Sequence, residues 1–146
     1  MAASFSRVTL DARRYQSLGS PRHVLALHGL GSFDQPDTGS RVPFYLQSAL
    51  GGAHVLRGFR PFRFRDEDLL ALSGEYRFEL RPKVELAAFY DAGKVTSRRS
   101  DLDFDGLKND FGLGFRFHGP FATPLRIEVA KSREGIALVF ASTPIF

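Results

Sequence analysis

From Leu69 to Arg81 the side chains alternate in kind: Leu70, Leu72, Gly74, Tyr76, Phe78 and Leu80 fall at even positions, and Ser73, Glu75, Arg77, Glu79 and Arg81 at odd ones. A period of two places these sets on opposite faces of an extended strand. The run also outlasts the ~5–6 residues of an ordinary strand. Pro82, which cannot donate to a ladder, breaks it in a short turn; Val84, Leu86, Ala88 and Tyr90 then resume an apolar face against Glu85, Phe89 and Asp91. This hairpin of long amphipathic strands admits two folds: a soluble antiparallel sheet with one wet face, or a barrel with lipid outside and water within.

Upstream, residues 5–15 and 23–28 are strand-like and joined by a turn at Ser17-Leu18-Gly19-Ser20-Pro21. Downstream, Phe111, Leu113, Phe115 and Phe117 alternate with Gly112, Gly114, Arg116 and His118, then Leu125, Ile127 and Val129 with Arg126 and Glu128. A turn around Glu134-Gly135 leads into a last strand from Ile136 to Phe146. About seven strands result, several near the ~9–11 residues that cross a bilayer at a tilt. Connections alternate between short (Gly19, Pro82, Gly119) and long (Gly31 to Glu67, Thr96 to Lys108), as in outer-membrane barrels. The stretch from about residue 30 to 67 is too long for a passive connection, and Phe44, Phe59, Phe62 and Phe64 make it too apolar to be disordered. A barrel lumen is the place for it.

Composition narrows the choice without making it. Fifteen Phe, 14 Gly and no Trp favour packed strands with tight turns over helices. The absence of Cys removes disulfides and thiolate metal sites, and His23, His28, His54 and His118 lack metal-ligand spacing and read as lumen or loop residues, so no cofactor is expected. A net charge of +4 suits anionic partners, whether nucleic acid, lipopolysaccharide or phospholipid head groups. Met1-Ala2-Ala3-Ser4-Phe5 runs straight into strand-like sequence with no signal segment, so an exported protein of this kind is expected to extend upstream of Met1.

Three motifs carry the functional reading. Leu56-Arg57-Gly58-Phe59 lies in the long loop, Glu75 follows Gly74 in Leu72-Ser73-Gly74-Glu75-Tyr76-Arg77, and Phe89-Tyr90-Asp91-Ala92-Gly93 lies on the next strand. Alternation puts Glu75 and Asp91 on the polar face, and one guanidinium fork can serve two carboxylates. In this order the motifs resemble the (V/L)RG(F/Y) loop, the acidic strand and the F-x-D-x-G strand of the BamA/TamA-type superfamily of outer-membrane assembly and secretion barrels, also called the bacterial surface antigen family. The resemblance covers nearly the whole chain. It implies an all-β, antiparallel transmembrane barrel in the bacterial outer membrane, with residues 1–146 forming its C-terminal half and upstream strands and periplasmic POTRA domains lying beyond.

The resemblance further implies that Arg57 pairs with Asp91 and Glu75, that Gly58 permits a tight loop tip and that Phe59 packs on the inner wall, with Leu56, Gly74, Phe89 and Gly93 completing the motifs. The last strand, with Leu138, Phe140 and the terminal Phe146, resembles the C-terminal signal of such proteins, from whose pattern Ser142 and Pro144 depart. The implied role is insertion or translocation of proteins without catalysis. The implied partners are unfolded outer-membrane or secreted proteins, outer-membrane lipids and lipopolysaccharide, and accessory lipoproteins. A passive pore, or an anchor for an appended passenger domain, would use the same barrel.

Two readings of other classes compete. Arg57, Arg60, Arg63 and Arg65 interleave with Phe59, Phe62 and Phe64 as a soluble single-stranded nucleic-acid groove would, though such a groove leaves the remote carboxylates unexplained. His28-Gly29-Leu30-Gly31 looks like a hydrolase oxyanion turn, but no Gly-x-Ser-x-Gly elbow accompanies it and a turn-forming glycine pair is the plainer reading. Glu75 and Asp91 as a glycosidase-like pair are countered by Arg57, which suits a structural role.

Overall fold

The computed structural model describes residues 4–119 and 125–142. Seven strands form one sheet: β1 (Phe5–Ser17), β2 (His23–Pro36), β5 (Asp68–Arg81), β6 (Val84–Thr96), β7 (Lys108–Phe117), β8 (Leu125–Ser132) and β9 (Gly135–Ala141). They lie in the order β1-β2-β5-β6-β7-β8-β9, every neighbouring pair antiparallel. The remaining strands, β3 (Ser48–Leu50) and β4 (Phe64–Asp66), pair with each other inside the connection from β2 to β5. The protein is all-β; no described helix is long and apolar enough to cross a membrane, and the long elements are strands.

The register carries the alternation across the sheet. Tyr76, Ala88, Leu113, Val129 and Leu138 form one continuous cross-strand row, and Phe78, Leu86, Phe115, Ile127 and Phe140 the next on the same face. This outer face is apolar and open: Leu138 and Phe140 are 65% and 68% exposed. A sheet that presents such a surface needs lipid or another apolar layer against it. The inner face bears the buried charges, among them Glu75, Asp91, Asp110, Arg116, Arg126 and Glu128.

The long connection is shorter than the sequence suggests. β2 continues through Gly29, Gly31 and Ser32 to Pro36, so the loop spans 37–67 where the sequence pointed to about 30–67. Gly29 and Gly31 form no turn. They sit in a strand paired with β1 on one side and β5 on the other, and two ladders hold weak strand formers that local propensity would release. His23 likewise lies on the outer face, stacked on Phe78 with ring centroids 4.8 Å apart, and is not a lumen residue.

The core is built by the loop. Leu50, Leu56 and Phe59 from the connection bury themselves against Leu69 and Ala71 on the inner face of β5, with Phe64 edge-on to Phe59 at 5.1 Å. A lone sheet has no second layer; here the returning loop provides it.

Candidate functional site

The loop tip is shaped by Leu56, which takes the left-handed conformation at φ 57° and lets Phe59 N–H bond back to the Leu56 carbonyl at 3.1 Å. That turn aims Arg57 at the inner wall. Its guanidinium forks onto Asp91, with Nε to Oδ2 at 2.8 Å and Nη2 to Oδ1 at 2.9 Å, and the Arg57 backbone N–H reaches the same carboxylate at 3.2 Å. Nη1 donates to Glu75 at 3.0 Å and to Glu128 at 3.2 Å. One cation thus ties the loop to β6, β5 and β8. Arg57 is 1% exposed. Burial works against its charge, but the Asp91 hydrogen bonds and the three carboxylates outweigh it and hold the guanidinium pKa above its ordinary value.

The carboxylates are shared with further arginines. Glu75 also receives Arg77 at 2.6 Å and an ion pair from Arg116; Glu128 receives Arg116 and Arg126, each at 3.1 Å. Arg126 reaches back to the loop through the Ala53 carbonyl at 2.9 Å. Ser73 donates to Asp91 at 2.6 Å. Buried charges are tolerated only when paired and hydrogen-bonded on most sides, and this cluster meets that condition around Arg57.

The strand motif Phe89-Tyr90-Asp91-Ala92-Gly93 has a physical meaning at every second residue. The Phe89 ring lies under the Arg57 guanidinium, 3.4 Å from its carbon to the ring centroid, a stacked cation–π contact. Asp91 binds the fork. Gly93 leaves room for the loop, because a Cβ there would meet Leu50 Cδ1 at 2.9 Å. Across the ladder, a Cβ on Gly112 would come within 2.5 Å of Phe89 Cζ, and one on Gly114 within 2.5 Å of Glu128 Cγ. The glycines of β7 clear space for the ring that floors the arginine and for its third carboxylate.

Gly58 is not the residue that bends the tip. Its φ is not positive, unlike that of Leu56; a Cβ on Gly58 would sit 2.5 Å from Asp110 Cβ, so its smallness serves close approach to β7. Gly74 shares a row with Leu27 and Tyr90 on the outer face and takes no part in the network. Leu138 and Phe140 also point outward, and Phe146 lies outside the described residues. Of the rings that a nucleic-acid groove would need, Phe59 is buried against Phe64, while Phe62 is exposed with Arg65 over it at 4.9 Å. The same guanidinium lies 5.2 Å from the exposed Phe44 ring. Glu75 and Asp91 are engaged by guanidinium groups, which leaves no free acid and base pair.

A family model for the Omp85 superfamily domain matches residues 2–135. The chain belongs to the Omp85 superfamily. It is an outer-membrane β-barrel sheet of that superfamily, all-β and antiparallel, with a strongly apolar outer face. The solved structures include a similar fold in the crystal structure of BamA from Haemophilus ducreyi lacking POTRA domains 1-3, at 20% identity and a TM-score of 0.74. The match covers 93% of this chain and 34% of that one, so the chain spans about a third of the BamA chain. No curated protein matches it.

Sequence reasoning missed the third carboxylate and its arginines. Glu128, Arg116 and Arg126 alternate with apolar residues just as Glu75 does, so the polar face was legible. What the alternation could not supply was the stagger that brings β8 under the same loop tip.

Proposed function

We propose that this Omp85 wall serves a protein that inserts or translocates other proteins at the outer membrane, with the 37–67 loop held inside the lumen as its working part. The observation that carries the reading is the Arg57 guanidinium, buried among carboxylates of three different strands. A passive wall has no need of so much desolvated charge on a loop, whereas a loop that must stay in register while substrates pass needs a fixed anchor. Partners on this reading are unfolded outer-membrane or secreted proteins, the surrounding lipids and lipopolysaccharide, and accessory lipoproteins. No catalysis is involved.

The rest of the wall is part of the proposal. Six successive antiparallel steps leave β1 and β9 running in the same direction. A second copy inserted in the same orientation across the membrane would therefore close only through two parallel seams, while an odd number of further strands closes it antiparallel throughout, giving the even count usual in such barrels. Strands upstream in the same protein fit that requirement better than a partner copy.

The test is reconstitution of the complete protein in vesicles with an unfolded outer-membrane substrate, comparing wild type with Arg57→Ala. Loss of substrate folding in the variant, with the barrel itself still inserted, is expected. Undiminished substrate folding by the variant, or dye leakage as the sole activity of the wild type, would instead favour a passive pore or an anchor.

A further inference from the structure

Gly58 is gripped by its own peptide groups as well as by the side chain of its neighbour. Its N–H donates to Asp110 Oδ2 at 2.8 Å, and its carbonyl accepts the Ser132 hydroxyl at 2.9 Å. Asp110 and Ser132 are direct cross-strand partners of β7 and β8, so one rung of the sheet holds both sides of the glycine. Asp110 is also the cross-strand partner of Asp91, on the same inner face.

These two facing acids live in different surroundings. Asp91 takes the Arg57 fork, the Arg57 backbone N–H and the Ser73 hydroxyl. Asp110 is equally buried, yet no arginine or lysine forms an ion pair with it among the described residues, and its Oδ1 has no hydrogen-bond partner. A buried carboxyl without a counter-ion is poorly used as a charge; its Oδ2 is well used as an acceptor. We propose that Asp110 is a second positioning residue for the loop, acting through Gly58 as a neutral-type hydrogen-bond acceptor and not as a counter-charge. The loop tip is then held by two anchors of different kinds, an ionic one at Arg57 and a peptide clamp at Gly58. This goes beyond the proposed transport role and stands whether the barrel inserts or secretes proteins.

Opposite responses to one substitution follow. Asp110→Asn keeps an oxygen for Gly58 and turns the unpartnered oxygen into an N–H donor beside the Asp91 carboxylate. Asp91→Asn removes the charge that faces Arg57 and puts donors against donors. The experiment is hydrogen exchange at the Gly58 amide in the complete protein, folded in lipid, for Asp110→Asn, Asp110→Ala, Ser132→Ala and Asp91→Asn. Protection at Gly58 in Asp110→Asn should stay within about two-fold of wild type, while Asp110→Ala should lose roughly ten-fold, one hydrogen bond's share. Ser132→Ala should lose a few-fold, and Asp91→Asn should release the whole tip.

Equal loss in Asp110→Asn and Asp110→Ala would overturn the proposal in favour of a charge role, and unchanged protection in Asp110→Ala would remove the clamp altogether. Should Asp110→Ala not fold, Asp110→Asn and Ser132→Ala decide together: wild-type protection in the first with a few-fold loss in the second upholds the clamp, whereas fast exchange at Gly58 in Asp110→Asn or unchanged protection in Ser132→Ala overturns it. The readout is local and independent of transport, so failure of the clamp and failure of the transport reading are separately visible.

Discussion

Two clusters of arginine and carboxylate fasten this sheet and its loops, and they differ in which partner is wet. Around Arg57 both sides are dry: the Arg57, Glu75 and Glu128 side chains are fully buried. At the end of the sheet where the long loops emerge, Arg7 pairs with Asp34 at 2.5 Å and Arg99 reaches Asp68 at 3.4 Å. There the aspartates are buried as well, at 0% and 4%, but the arginine side chains are 35% and 55% exposed. The chemistry is the same, and its worth is not. Solvent that still reaches a guanidinium can replace it when it leaves, whereas the Arg57 side chain is fully buried. Depth, and not the count of ion pairs, decides which cluster holds the loop.

Removing Arg57 should be the costliest single change. Glu75 keeps Arg77 and Arg116, and Glu128 keeps Arg116 and Arg126, so the cost falls on Asp91, which loses its only cationic partner among the described residues while facing Asp110. Arg57→Ala should destabilise the docked loop by about 3–5 kcal/mol, the range for breaking a buried pair. Limited proteolysis within 37–67 of the folded protein checks this; a loop as resistant as wild type would erase the distinction between the two clusters. Arg57→Lys keeps the charge but loses the planar fork that serves Asp91 and Glu75 together, and about 2 kcal/mol of loss is expected in the same assay.

How much of this anchorage could be read beforehand follows from what each signal encodes. Period two assigns faces, so Glu75 and Asp91 were placed on the inner wall, and the polar alternation of Arg116, Arg126 and Glu128 was visible too. Register and stagger are properties of pairing between distant strands, so nothing local in β8 announced that Glu128 would meet Arg57. Gly58 shows the other limit. A glycine in a loop motif suggests a bend, but the bend belongs to Leu56, and the reason for Gly58 is a side chain 52 residues away on β7. The start of the loop was misplaced for a related reason. Gly29, Gly31 and Ser32 are poor strand formers locally, and only the ladders from β1 and β5 keep them extended.

A smaller perturbation of the deep cluster comes from Ser73, whose hydroxyl supports Asp91 at 2.6 Å from the neighbouring strand. Ser73→Ala leaves the fork in place and removes one hydrogen bond to a charged acceptor, so about 1.5 kcal/mol of loop stability should go. Proteolysis rates should fall between wild type and Arg57→Lys. A loss as large as that of Arg57→Lys would mean that the hydroxyl, and not the fork, orients the carboxylate.

The weakest effect belongs to the rim, and there the dependence on salt says more than the size. Arg99 sits on the short 3-10 turn Arg99–Asp101 in the loop between β6 and β7, and it reaches across to Asp68 and to the Asp34 carbonyl at 3.3 Å. Asp68 also accepts the Asp34 backbone N–H at 3.1 Å, so it keeps a partner when Arg99 leaves. Arg99→Ala should therefore cost about 0.5 kcal/mol, as exposed pairs do. Screening shortens the reach of exposed charges to about 3 Å at 1 M salt and leaves dry pairs much less affected. Measured in low and in high salt, the Arg99→Ala penalty should shrink toward nothing while that of Arg57→Ala persists. If both penalties faded together, water would be reaching Arg57, and the deep cluster would be only a second rim.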